Sequence, residues 1–174
     1  MSESWRLGSR NSPYARRPPI GNSSRSALAA IVLGGLIAGT IDIGAACLIN
    51  GRSVTFILQT IAGGLLAGRS HAGGTPTALL GLLLQELMGI IIAAIYVGAA
   101  AVLPSLRRRW LAGGLVYGIV IFFVMNYVVV PLSAWKHHPH FSTRTFAANM
   151  AAMLLFGLII AWFARRCRER GLRR

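Results

Sequence analysis

The run TALLGLLLQELMGIIIAAIYVGAAAVL, from Thr77 to Leu103, decides the class of this chain. It carries one charged side chain, Glu86, and stops at Pro104. The hydrocarbon layer of a bilayer is about 30 Å thick and an α-helix rises about 1.5 Å per residue, so roughly 20 apolar residues cross it. Three other stretches reach that length: Ala27–Leu48, Trp110–Val130 and Thr145–Phe163. Pro131 is expected to end the third. The short turn between Leu103 and Trp110 predicts antiparallel neighbours for the second and third spans. The sequence therefore reads as an all-α integral membrane four-helix bundle over residues 27–164.

Val54–Gly68 is also apolar but too short to span. It contains Gln59 and Gly63-Gly64, with Arg52 and Ser53 before it and Arg69, Ser70 and His71 after it. A short interfacial or re-entrant helix between the first two spans is expected here. Residues 1–26 are rich in Ser, Arg and Pro and are expected to form a disordered basic arm. An Arg-rich head before so long an apolar run reads as a retained signal anchor. Residues 165–174 form a basic tail.

The composition agrees. The chain has 174 residues, 55% of them hydrophobic and 13% charged, with 18 Lys+Arg against 4 Asp+Glu. A soluble enzyme keeps about twice that share of charge on its surface. Two cysteines are too few for a disulfide scaffold, and Cys47 and Cys167 fall on opposite sides of the membrane. Positive charge accumulates on cytoplasmic flanks of spanning helices. With four spans and both termini cytoplasmic, 14 of the 18 basic residues lie inside, leaving Arg52, Arg69, Lys136 and Arg144 outside. A fifth span would destroy that partition. Arg107, Arg108, Arg109, Arg165 and Arg166 then face anionic lipid headgroups. Charge set beside spans in this way points to the bilayer and away from nucleic acid.

Small residues form a stripe on each span, as close helix packing in lipid requires. Gly35 and Gly39 share a face with Asp42; Gly89 and Ala93 share one with Glu86. Gly114 and Gly118 mark the third span, and Ala148, Ala152 and Gly157 the fourth. Val32-Leu-Gly-Gly-Leu-Ile-Ala-Gly39 echoes Leu111-Ala-Gly-Gly-Leu-Val-Tyr-Gly118. A duplication would give two parallel helical hairpins, whereas Gly-rich apolar segments also match by chance.

Of the four acids, Asp42 and Glu86 lie inside spans, where a carboxylate costs about 2.5–3.5 kcal/mol on an insertion scale. Counting residues puts both roughly 6 Å outward of the midplane. Gln85, Asn126 and Asn149 lie at or slightly beyond that level, so every span offers a polar group to the outer half. The inner half is read as almost purely apolar. One reading is an outward-facing polar pocket of Asp42, Glu86, Gln85, Asn126 and Asn149 that binds a proton or small cation. The other is that these groups hydrogen-bond one another as packing glue, or pair with Arg52, Arg69 or Arg144. His137, His138 and His140 could form a metal-binding or pH-sensing loop, since imidazole titrates near about pH 6.5. No acid accompanies them, and the nearby cations oppose a metal. No cofactor site, metal site or catalytic motif is found: there is no Walker loop, nucleotide fingerprint, GxSxG or HExxH. The chain does not read as an enzyme.

Gly34-Gly-Leu-Ile-Ala-Gly-Thr-Ile-Asp-Ile43, Ile57-Leu-Gln-Thr-Ile-Ala-Gly-Gly64 and Met125-Asn-Tyr-Val-Val-Val-Pro-Leu-Ser-Ala134 together resemble uncharacterised bacterial four-span inner-membrane proteins, loosely similar to the YagU-like family. The resemblance covers about residues 28–165. It implies a multi-pass protein of the bacterial inner (plasma) membrane and an association with acid response. Two functions are thus carried forward. The first is proton or small-cation handling at the polar pocket. The second is a non-catalytic accessory or assembly subunit, packed against other membrane subunits or a second copy of itself.

Overall fold

A computed structural model describes residues 20–136 and 142–172. In chain order the elements are α1 (Ile20–Asn50), α2 (Val54–Leu66), a 3-10 segment (Ala67–Ala72), α3 (Gly74–Val102), α4 (Pro104–Arg108), α5 (Trp110–Val124), a π-helical turn (Met125–Val129), α6 (Val130–Leu132) and α7 (Thr143–Leu172). No strand occurs among the described residues. Four helical stretches are long and apolar enough to cross a membrane: Ser24–Asn50, Gly74–Val102, Trp110–Leu132 and Thr143–Cys167.

The boundaries differ from the sequence expectation in instructive ways. Helix α1 is described from Ile20 and so takes in residues 20–26 of the expected arm. Pro131 does not end the third span. The helix changes to π register over Met125–Val129 and continues through Pro131 to Leu132. A π turn before a proline lets the ladder absorb the missing donor. Asn126 Nδ2 donates to Phe122 O at 2.8 Å where the register changes. Ser133 then closes the helix, its Oγ donating to Val130 O at 2.7 Å. Helix α7 runs on to Leu172, well past Phe163. Arginine is a good helix former, and the Arg165–Glu169 pair at 2.8 Å is spaced i,i+4 along it.

The helices α1 and α3 run antiparallel, as do α5 and α7. Helix α7 lies between α1 and α5, and α3 lies on the other side of α1. The second and third spans thus meet differently from the expectation. Their backbones are not a close pair; they touch through side chains, with the Tyr96 and Tyr117 rings 5.0 Å apart. The reason lies in where the glycines point. A Cβ on Gly35 would come within 2.7 Å of Ile90 backbone, and one on Gly89 within 2.7 Å of Gly35 O. At the second crossing, a Cβ on Gly114 would reach 3.0 Å from Gly157 O, and one on Gly157 would overlap Gly114 O. Backbones approach this closely only where both surfaces lack side chains.

The shared core contains Ala38, Ile92, Ala93, Tyr96, Ile121, Phe156, Ile160 and Ala161. The outward surfaces are apolar too. On α3, Leu79, Leu83, Leu87, Ile91 and Ile95 recur every fourth residue and each is 46–64% exposed. Such a continuous aliphatic stripe suits acyl chains as its solvent and would not suit water.

Two ends can be named from the chain itself. One carries Arg107–Arg109 and the Arg-rich end of α7, and is called the basic end here; the other carries α2. Helix α2 has an N-cap at Ser53, whose Oγ accepts from Phe56 N at 3.3 Å. It stops at Leu66, two residues short of expectation, where Ala67 takes φ +52°. It packs along α3, and a Cβ on Gly81 would overlap Leu58 O. Gln59, buried, donates through Nε2 to Gly74 O at 3.0 Å. Trp135 fastens α2 to the end of the third span. Its Nε1 donates to Thr60 O at 2.9 Å, its ring fills the space above Gly63, and Ala134 N donates to Gly64 O at 2.8 Å.

Candidate functional site

The α1/α3 crossing carries the site. One turn beyond Gly35, Gly39 leaves a gap on α1 that the Glu86 carboxyl enters; a Cβ at Gly39 would meet Oε2 at 3.1 Å. Thr40 Oγ1 donates to Glu86 Oε1 at 3.1 Å. Glu86 Oε2 is buried and has no hydrogen-bond partner among the described residues. Toward the α2 end, Gln85 Nε2 donates to Asp42 Oδ2 at 2.9 Å. Two carboxyl groups, one amide and one hydroxyl thus line neighbouring turns of one helix crossing. Antiparallel packing produces this because Gly35 faces Gly89: moving toward the α2 end along α1 meets lower numbers along α3, which brings Asp42 to Gln85.

The five residues expected to form one pocket separate into two groups. Asp42, Gln85 and Glu86 come together on α1 and α3. Asn126 and Asn149 are each bound to their own helix, by Nδ2 to Phe122 O and Thr145 O respectively, both at 2.8 Å. Asparagine within a helix readily turns back to the carbonyl four residues before it. No cation pairs with Asp42 or Glu86 among the described residues, so Arg52, Arg69 and Arg144 are not their partners. His137, His138 and His140 lie outside the described residues. Among the described residues no three His, Cys, Asp or Glu side chains converge.

Several polar groups escaped the sequence reading. Thr40, exposed on α1, belongs to the site; it directly follows Gly39 and stands two residues before Asp42. The half of the bundle toward the basic end is less apolar than expected. Tyr117 Oη donates to Ile92 O at 2.6 Å, while Tyr96 Oη is buried without a partner among the described residues. Their rings look apolar in a hydropathy count, which hides the hydroxyls. Helix α2 also adjoins the site: Ile43, next to Asp42, packs with Leu58 and Ala78.

At the basic end, Arg165 stacks over Trp110 with its Cζ 5.4 Å from the ring centre, and Arg166 over Trp162 at 5.5 Å. Cations over indole faces are held by the ring quadrupole. Arg108 and Arg109 lie in the adjoining turn.

Fold, composition and site together define a class: a small all-helical chain with four helices fit to cross a membrane, as a multi-pass membrane protein has, and a pair of carboxyl groups at one crossing. Within that class no particular relative stands out, since no family model, curated protein or solved structure matches the chain.

Proposed function

We propose that this chain is a bacterial inner-membrane protein with both termini in the cytoplasm, and that its Asp42–Glu86 site takes up a proton or small cation in ion handling or acid response. The observation that carries the reading is the buried Glu86 Oε2, which has no donor among the described residues. A bare carboxylate oxygen in apolar surroundings is costly, so the group is best satisfied when a proton or cation joins it. Thr40 Oγ1, Gln85 and the Asp42 carboxyl supply oxygen and amide groups beside it. Carboxyls on neighbouring turns of one helix crossing are the groups among which a single positive charge would be shared. The resemblance to YagU-like proteins supports the acid-response side of the reading. The accumulation of arginine at one end supports the orientation. The short α2, at 13 residues, fits an interfacial or re-entrant helix.

The test uses the full chain in vesicles containing a pH-sensitive dye. An acid step outside should give a proton or cation flux above that of empty vesicles. Glu86→Gln and Asp42→Asn should each reduce it while helical content is unchanged. Equal flux from the wild type and the double variant would overturn the reading.

A further inference from the structure

A second site lies away from the carboxyl pair. Between α1, α5 and α7, toward the basic end, is an open cleft of about 360 Å³, lined among others by Ile37, Trp110, Leu111, Leu158, Trp162 and Phe163. That is within the range of about 300–1,000 Å³ typical of small-molecule sites. Its lining is wholly apolar, so its occupant must present hydrocarbon. Two of its walls, Trp110 and Trp162, are the rings over which Arg165 and Arg166 are stacked. The guanidiniums therefore stand within about one ring's reach of the mouth, held in place by stacking instead of free to swing.

We propose that this cleft seats one acyl chain of an anionic phospholipid, whose phosphate group is held by Arg165 and Arg166. The two halves of the site match the two halves of that molecule: apolar walls below and cations above. Arg165 spends its Nε–H on Glu169 Oε1 at 2.8 Å. A guanidinium has five N–H donors, so four remain on Arg165, in the fork geometry that fits phosphate oxygens. The pair with Glu169 also fixes the Arg165 side chain before a lipid arrives. A zwitterionic lipid would bring its own cation to this crowded positive end, which disfavours it. Trp110 and Arg165 come from different helices, so a lipid held there would also fasten α5 to α7. The inference is independent of the carboxyl site, and either can fail without the other.

The experiment places the full chain, carrying Trp5→Phe and Trp135→Phe, in phosphatidylcholine vesicles containing phosphatidylglycerol. In one set the phosphatidylglycerol carries brominated acyl chains; in the other, an equal amount of the phosphatidylcholine does. Bromine quenches a tryptophan it touches. Brominated phosphatidylglycerol should compete for Trp110 and Trp162 about thirty-fold more effectively, as expected for two arginines acting near the surface at about 1 kcal/mol each. Arg165→Gln with Arg166→Gln should abolish the preference. Leu111→Phe, which narrows the cleft and leaves the charge unchanged, should also reduce it. Arg17→Gln with Arg25→Gln, which removes equal charge from the chain, should leave it intact. Equal quenching by both lipids would overturn the proposal. So would a preference that survives Leu111→Phe, or one lost equally in the Arg17/Arg25 variant.

Discussion

The α1/α3 and α5/α7 hairpins are built on the same pattern and end in different chemistry. In both, a Gly-Gly pair followed by a glycine four residues after its second member meets the next span. Gly35 and Gly39 face α3, while Gly34 faces Phe163 on α7. Gly114 and Gly118 face α7, while Gly113 faces Tyr96 Oη on α3. The echo between Val32–Gly39 and Leu111–Gly118 thus corresponds to equivalent packing roles. The difference lies at the last glycine. Opposite Gly118 stands bare backbone, where an added Cβ would overlap Met153 O and come 2.9 Å from Leu154 Cα. Opposite Gly39 stands the end of a side chain, the Glu86 carboxyl. The same glycine closes one interface completely and leaves the other open by the width of a carboxyl group. A packing motif becomes a candidate site when its partner helix supplies an acid.

That contrast can be broken most forcefully at the closed crossing. Gly118→Leu should cost about 3 kcal/mol or more, because fixed backbone cannot move aside. Gly39→Ala should cost less than about 1 kcal/mol, since the Glu86 side chain can shift by a few tenths of an ångström. Thermal unfolding in detergent compares the two, and equal losses would erase the distinction drawn between the hairpins. Next in size is Glu86→Met. If the acid is retained for binding, removing its orphaned buried oxygen should stabilise the chain by about 1–2 kcal/mol. If the acid is packing glue, the same variant should unfold earlier. Trp135→Phe should cost about 1 kcal/mol by deleting the bond to Thr60 O. It should speed hydrogen exchange over α2 more than over α5. The smallest effect belongs to Asn149→Ala on α7, within about 0.5 kcal/mol. Its bond is to its own helix, which keeps its ladder without it.

The four long helices were legible because a bilayer imposes a length, and uninterrupted apolar runs declare it. Asp42 meets Gln85 and Thr40 meets Glu86; that these turns would face one another was legible because counting residues along antiparallel helices aligns their turns. Which helices would pair was not legible, because the glycines of Gly35–Gly39 and Gly114–Gly118 look alike and carry no address. The fates of Asn126 and Asn149 were hidden because an amide can satisfy its helix as well as its neighbour. Thr40 and the Tyr96–Tyr117 pair were overlooked because hydropathy averages a hydroxyl into its carbon skeleton. The bond from Trp135 to Thr60 spans 75 residues. No local pattern records such a contact.

The π turn at Met125–Val129 holds one residue more than an α-helix of the same length needs. Five residues in π register make about the turn that four make in α register, so a deletion of one of these five would let the span revert to ordinary α register with everything beyond it facing nearly as before. A deletion elsewhere in the α-helical part of the span would instead turn everything beyond it by about 100°, and Trp135 would leave its seat over Gly63. The span can thus lose a residue at this turn and keep α2 fastened, whereas a lost codon elsewhere along the helix would detach it.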